Sequence, residues 1–275
     1  MRTSNPALND KVFEQARAGT ATAEAAPGWA AGQSLESAYD APAYRGPVVG
    51  EDTMTLNGVA WASGALLTLV VVAGVFGWNS VERTNDVVAM PGWLFLVLFG
   101  GLGVAMVTIF KPKLARFTAP IYALLEGALL GAISALYNTA YDGIVVQAVA
   151  MTIGVFAVML FLFATRIIKV TDKLRMGIVA ATGGIMLVYI VNLVLGLFGG
   201  NLAFLESSSA MGIGISLLIV GVAAFNLLLD FDFVERGVEA GAPRYMEWYA
   251  AFGLLVTLIW LYLELLRLLS KLQRR

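Results

Sequence analysis

The chain has 275 residues, of which 59% are hydrophobic and 13% charged, and its formal net charge is -1. A soluble domain is about half apolar and about a quarter charged, so this composition indicates an integral membrane protein. The 29 glycines suit helical spans, where small residues let backbones approach closely, whereas a β-barrel requires short alternating segments. We therefore predict an all-α integral membrane protein.

The sequence contains neither cysteine nor histidine. This excludes disulfides, thiol nucleophiles, zinc or haem centres with Cys or His ligands, and imidazole proton relays. A group that titrates near neutral pH must then be a carboxyl whose charged form is disfavoured by burial or by a second carboxylate. A bound cation must be a hard one that takes oxygen ligands.

Residues 1–53 differ from the rest of the chain, because they mix Ala, Gly, Pro, Ser and Glu with scattered charges. Such a segment buries too little apolar area to offset the entropy of ordering, so we predict a disordered N-terminal tail. It also lacks the apolar core of a signal peptide. In this prediction residues 54–275 form the transmembrane domain.

Seven apolar segments follow the tail, each close to the roughly 20 residues that cross about 30 Å of hydrocarbon. Pro91 and Pro120 stand in the first turn of two segments, where proline is tolerated. We predict seven transmembrane helices, at residues 56–78, 91–110, 119–137, 143–165, 176–198, 211–231 and 248–266.

Lysine and arginine cluster after the second, fourth and sixth segments, whereas the intervening loops contain only Arg83. By the positive-inside rule the basic loops and the N-terminus are cytoplasmic. Seven crossings then place the C-terminus outside, although it carries Arg267, Lys271, Arg274 and Arg275. Either the last segment crosses against the charge rule or it is re-entrant, and the sequence leaves both alternatives open.

Several polar residues lie inside the predicted spans. Glu126 is deep in the third segment, where a charge exposed to lipid is costly, so it must face protein or water. Gly127 and Gly131 have GxxxG spacing, which tight helix packing explains better than a ligand role. We predict that Asn192 and Asn226 are interhelical hydrogen-bond partners rather than ligands.

The sixth segment runs without a turn signal into LLLDFDFVERG, which carries three carboxylates. Asp230 and Asp232 point to roughly opposite sides of a helix, so they cannot both face one pore. Asp230 is the candidate gate, Asp232 and Glu235 form a candidate oxygen-rich cytoplasmic mouth, and both aspartates are candidate calcium ligands. The alternative is that the span ends at Leu229 and both aspartates lie in water.

The last segment carries a further candidate, Glu264. It lies seven residues beyond Thr257, hence on nearly the same helix face. Arg267 is three residues farther on and offers Glu264 an ion pair at the end of the helix, which is the simpler interpretation.

Three stretches are distinctive: AMVTIFKPKLARFTAPIYALLEGALLGAIS, GIVAATGG and LLLDFDFVERGVEAGAPRYMEWYAAFGLLVTLIWLYLELLRLL. With these stretches and its seven-span layout, the chain resembles the transmembrane Bax inhibitor motif family, the Bax inhibitor-1-like proteins, and in particular its actinobacterial branch. The resemblance covers about residue 54 to the C-terminus. It implies a seven-helix bundle with the last helix in the centre, in a bacterial plasma membrane. It also implies a pH-sensitive calcium leak channel in which an aspartate late in the sixth helix shares a proton with one in the seventh.

Asp230 matches the sixth-helix aspartate of the family, but Thr257 stands where the seventh-helix aspartate is expected. A proton gate must then rely on burial of Asp230 or on a displaced partner, Glu264 or Glu126. Glu264 is about 10 Å farther along the helix axis. We predict a calcium leak conduit gated at Asp230, with the bilayer, calcium and protons as partners, without nucleic acid, and without a cofactor beyond transient calcium.

Two other classes of function compete with a conduit. The first is a membrane-embedded modulator that binds a membrane protease or a stress-response complex and transports nothing. It predicts that the N-terminal tail and the GxxxG face matter for activity. The second is an intramembrane hydrolase, which without histidine would need two facing aspartates. Asp230 and Asp232 are wrongly spaced for that, so we predict that the protein is not an enzyme.

Overall fold

The computed structural model describes residues 53–84, 87–89 and 91–274. The predicted tail therefore lies outside the described residues, except for Thr53. A short antiparallel hairpin pairs β1 (Glu82–Thr84) with β2 (Val87–Ala89), and the rest of the regular structure is helical. The helices are α1 (Leu56–Asn79), α2 (Leu94–Phe110), α3 (Ala115–Ala140), α4 (Ile144–Ala164), α5 (Asp172–Leu197), the short α6 (Ala203–Glu206), α7 (Ala210–Glu239) and α8 (Met246–Gln273).

Six of these helices are long and apolar enough to cross a membrane, namely α1, α3, α4, α5, α7 and α8. The chain is thus a multi-pass membrane protein. The remaining apolar helix, α2, has 17 residues. We predicted that it begins at Pro91, but Pro91 and the two residues after it form a turn, in which the Leu94 amide donates to the Pro91 carbonyl at 3.1 Å.

The last two long helices extend well beyond the predicted spans. We predicted that the sixth span ends at residue 231, yet α7 continues to Glu239. We predicted that the seventh ends at residue 266, yet α8 continues to Gln273. Both helices continue past the end of their apolar runs, because glutamate, arginine and lysine are good helix formers.

The last helix, α8, occupies the centre of the described bundle. It packs against α1, α3, α4 and α7, and 16 of its 28 residues are buried. On one side, Leu265 belongs to an apolar cluster with Leu227 and Leu228 of α7. On another side, Leu255 packs with Leu66 of α1. This helix therefore joins the two main apolar clusters.

The bundle has two distinguishable ends. At the first, Thr55 before α1 donates to Glu247 of α8 through its amide at 3.0 Å and its hydroxyl at 2.9 Å. Arg166, after α4, pairs with Glu235 of α7 at the same end. We call this the basic end, because the loops after α4 and α7 carry many of the lysines and arginines. The other end is called the opposite end.

The C-terminal turn of α8 lies at the opposite end. Lys271 is buried, and its Nζ donates to the Gly212 carbonyl at 3.1 Å and to the Ser216 hydroxyl at 2.7 Å, both near the start of α7. Arg274 donates to the Tyr141 hydroxyl at 2.6 Å. The last segment therefore runs from one end to the other and is not re-entrant. The basic side chains of Arg267, Lys271 and Arg274 all contact other helices or loops of the bundle.

Candidate functional site

Asp230 lies inside α7, where the helix meets α8. Thr257 of α8 makes a hydrogen bond to its carboxyl group, and the same threonine hydroxyl lies 3.3 Å from the Gly253 carbonyl oxygen. The second carboxyl oxygen, Oδ2, is buried and has no hydrogen-bond partner. The alternative in which Asp230 lies in water is therefore wrong, because this oxygen is buried.

Asp232 has different surroundings from Asp230. Arg175 of α5 donates to its Oδ2 at 2.7 Å, and Arg236, one turn along α7, lies 2.5 Å from the same oxygen. The two aspartates thus have separate partners, as their spacing on a helix predicts. Within the described part of the chain, no group of three or more acidic side chains could hold a metal ion.

Glu235, the other residue of the predicted mouth, also contacts an arginine. Both of its carboxylate oxygens accept hydrogen bonds from Arg166. The hydrogen bond to Glu235, and then the charge of Glu235, raise the pKa of Arg166. In this structure Asp232 and Glu235 are therefore both paired with arginines. Their role as the cytoplasmic mouth of a conduit stays a prediction.

Glu264 is buried in α8 with 2% of its surface exposed. The hydroxyl of Tyr189 on α5 donates to its carboxylate at 2.5 Å, and Arg267 donates to it at 3.1 Å. Arg267 also donates to the Tyr189 hydroxyl and lies over that ring, 5.0 Å from its centroid. The ion pair at the end of the helix is therefore present. Sequence reasoning missed Tyr189 as its third member.

Glu126 faces α2 rather than Asp230. A Cβ on Gly101 of α2 would lie 3.4 Å from its Oε2 atom. One turn earlier, the ring of Tyr122 packs edge-on against Phe252 of α8, with centroids 5.0 Å apart. Glu264 pairs with Arg267, whereas the hydrogen bond of Asp230 goes to Thr257.

Gly127 and Gly131 lie where α3 meets α1. A Cβ on Gly127 would lie 2.5 Å from the Val70 carbonyl oxygen, and one on Gly131 would overlap the Gly74 carbonyl. The two backbones are thus in direct contact along the GxxxG face, as close approach of small residues permits. These glycines have a packing role in this structure.

The two asparagines behave differently. Asn226 of α7 donates to the Thr182 hydroxyl of α5 at 2.8 Å, so it is an interhelical partner. Asn192 instead accepts the Leu202 amide at 2.8 Å, in the segment that follows α5. This contact joins Asn192 to the connection after α5, and the interhelical role of Asn192 stays a prediction. Asn192 lies within the last two turns of α5, so its side chain reaches the connection and satisfies a loop amide.

The family model described as Bax inhibitor 1 like matches residues 5–274. A comparison with curated proteins finds no match. The family match extends the resemblance, which rests on residues 54 onward, over most of the N-terminal segment. It covers Asp230, its partner Thr257 and the Glu264 cluster. Because the match spans nearly the whole sequence, the chain belongs to the Bax inhibitor 1 like family.

Proposed function

We propose that the protein is a pH-sensitive cation leak conduit, with calcium as the cargo by family resemblance, and that Asp230 is its gate. The observation that carries the proposal is the buried Oδ2 atom of Asp230, which has no hydrogen-bond partner inside a helix long enough to span the membrane. Intramembrane carboxylates are costly and mark ion or proton pathways, so such a group is a functional candidate.

In this proposal α2 is the seventh crossing. Its 17 residues are at the lower limit of about 17–25 residues for a span and extend about 26 Å. The basic end faces the cytoplasm of a bacterium, and the N-terminus lies on that side. The C-terminus then lies outside, because α8 ends at the opposite end of the bundle.

The proposed gate works through the charge of one carboxyl group. A neutral carboxyl fits the closed packing between α7 and α8, whereas an ionised one leaves a buried charged oxygen without a partner. Loss of the proton therefore favours entry of water or a cation beside Asp230. Thr257 cannot share a carboxyl proton, so this gate differs from a pair of coupled aspartates. The leak is expected to increase as pH rises.

Calcium flux into liposomes that contain the purified protein tests the gate. The leak should be larger at about pH 8 than at about pH 6, and the permanently neutral Asp230→Asn variant should stay at the low level at both values. Glu239→Gln, at the exposed end of the same helix, serves as the matched control and should keep the pH dependence. A leak that is independent of pH, or an Asp230→Asn variant that behaves like the wild type, contradicts the proposal.

A second candidate function is that of a membrane-embedded modulator of a protease or stress-response complex. It is supported by α5, in which Ile178 is the one buried residue among 26. A helix so weakly packed leaves apolar side chains to contact lipid or a partner helix. This function predicts that deletion of residues 1–53 abolishes the cellular phenotype while flux in liposomes is unchanged.

A further inference from the structure

The helix α5 is attached to the bundle mainly by polar side chains. It buries only Ile178, so apolar packing contributes little to its position. Side-chain hydrogen bonds connect it instead to α7 and α8 at three levels, at the basic end, in the middle and towards the opposite end. They join Arg175 to Asp232 at 2.7 Å, Thr182 to Asn226 at 2.8 Å, and Tyr189 to Glu264 at 2.5 Å.

These contacts follow a single face of α5. Arg175, Thr182 and Tyr189 are spaced seven residues apart, which is two helical turns, so they recur on the same side. From the first to the last they cover about 21 Å along the axis, or about two thirds of the hydrocarbon thickness. We call this row the polar seam. Its members are Arg175, Thr182 and Tyr189 with their partners Asp232, Asn226, Glu264 and Arg267.

Asp230 lies beside the polar seam. It is one turn from Asn226, so the two residues share a face of α7, and along that helix it lies between Asn226 and Asp232. Its partner Thr257 shares a face of α8 with Glu264. The proposed gate is therefore a neighbour of the row of polar contacts rather than an isolated group.

We propose that the polar seam between α5, α7 and α8 is the cation path, and that displacement of α5 opens it. The inference rests on the proposed leak function and adds its route and its moving element. A cation that loses part of its hydration needs polar groups at every depth, and rows of polar side chains between helices mark such routes. A helix held by side-chain hydrogen bonds separates more easily than one in backbone contact.

In the described state arginines neutralise both carboxylates of the polar seam. Arg175 pairs with Asp232, and Arg267 pairs with Glu264. Arg175 belongs to α5, whereas Asp232 and its second partner, Arg236, belong to α7, so displacement of α5 removes one of the two cations beside this carboxylate. Tyr189 leaves Glu264 in the same movement. The displacement thus removes one positive charge and one hydrogen-bond donor from the seam as it opens, which makes the path less repulsive to a cation.

Reversible cross-linking tests the seam, because the chain contains no cysteine of its own. The Thr182→Cys/Asn226→Cys pair ties α5 to α7, by a disulfide or a short reducible dithiol reagent. The control pair, Thr108→Cys/Thr118→Cys, ties α2 to α3, where the two native hydroxyls are 2.8 Å apart. Liposome flux is measured before and after reduction. The leak should be lost in the first pair and recover with reductant, and it should be unchanged in the control.

Single cysteines provide a second measurement that needs no cross-link. A charged thiol reagent should block the leak of Thr182→Cys, but not that of Leu187→Cys, which lies on the exposed side of α5. Two results would overturn the seam as the cation path. One is a leak that survives a cross-link verified by mass spectrometry, and the other is a leak of Thr182→Cys that the reagent does not change. In both cases a pH-dependent leak that Asp230→Asn abolishes would persist, so the proposed function would stand. A wild-type protein without any leak contradicts both.

Discussion

The contact of α1 with α3 and the contact of α5 with α7 show two ways of holding a membrane helix. In the first, glycines bring the backbones together, so that a Cβ on Gly77 or Gly131 would overlap main-chain atoms of the other helix. In the second, polar side chains bridge the helices, and α5 buries almost nothing. Lipid surrounds apolar side chains as well as protein does, so close packing and hydrogen bonds decide helix association. The α1–α3 contact is therefore expected to be rigid and the α5 contact separable.

The largest effect is expected where the backbones touch. Gly131→Ala places a methyl group against the Gly74 carbonyl, which cannot move without shifting α1. We expect a loss of about 3 kcal/mol in the free energy of unfolding, the upper part of the usual range for overpacking. Thermal unfolding in detergent measures it. Gly154→Ala on α4 is the matched control, because nothing lies within 4 Å of a Cβ there. Equal melting temperatures for the two variants would refute backbone contact.

A smaller loss of stability is expected from Arg267→Gln, on α8, where that helix contacts Tyr189 of α5. The substitution removes the cation beside buried Glu264 and leaves Tyr189 as its donor, at a cost of about 1–3 kcal/mol in the free energy of unfolding. The control, Arg166→Gln, breaks the exposed pair with Glu235 and should cost less stability than Arg267→Gln, because water screens an exposed pair. Chemical denaturation of both variants distinguishes them, and an equal loss would argue against burial of the Glu264 pair.

The proposed gate can be retuned by restoring the family's second carboxylate. In Thr257→Asp two carboxyl groups face each other, and a like charge disfavours ionisation, so the proton leaves at higher pH. The rise of the leak with pH should move upward accordingly. Thr257→Ser retains the hydroxyl that bonds to Asp230 and should leave the pH profile unchanged. A downward shift in Thr257→Asp would be incompatible with the proposed contact.

The smallest effect is expected at the basic end, where one carboxylate binds the start of a helix. Glu247 accepts two hydrogen bonds from Thr55, the N-cap of α1, and its negative charge favours the positive end of the helix dipole. Glu247→Gln keeps an acceptor but loses the charge, so we expect a loss of about 0.3–1 kcal/mol in the free energy of unfolding. Thermal unfolding measures it. A loss as large as that of Gly131→Ala would mean that the end contact, not the glycine contact, dominates.

Features that depend on local spacing were predictable from the sequence. Apolar runs locate the six long helices, GxxxG spacing locates a close helix contact, and the three-residue step from Glu264 to Arg267 predicts their ion pair. The departure from the family at Thr257 also predicts that Asp230 lacks a carboxylate partner there. Each of these inferences uses residues on the same helix or the length of one segment.

Features that depend on which helices meet were not predictable in this way. Tyr189 and Glu264 are 75 residues apart, and Arg175 and Asp232 are 57 residues apart, so no periodicity connects them. The polar seam becomes visible only when α5 is placed beside α7. The fate of the basic C-terminal tail likewise depends on the partners of Lys271 at the start of α7.

In the proposed gate, Asp230 exchanges a proton in the pH range over which the leak changes. Infrared difference spectroscopy of the protein in membranes detects the carbonyl band of a protonated carboxyl group directly. We expect this band at about pH 6 and its loss by about pH 8. It should be absent in Asp230→Asn and retained in Glu126→Gln and Glu264→Gln. A band that persists in Asp230→Asn, or an Asp230 carboxyl that keeps one protonation state while the leak changes, would contradict the proposed gate.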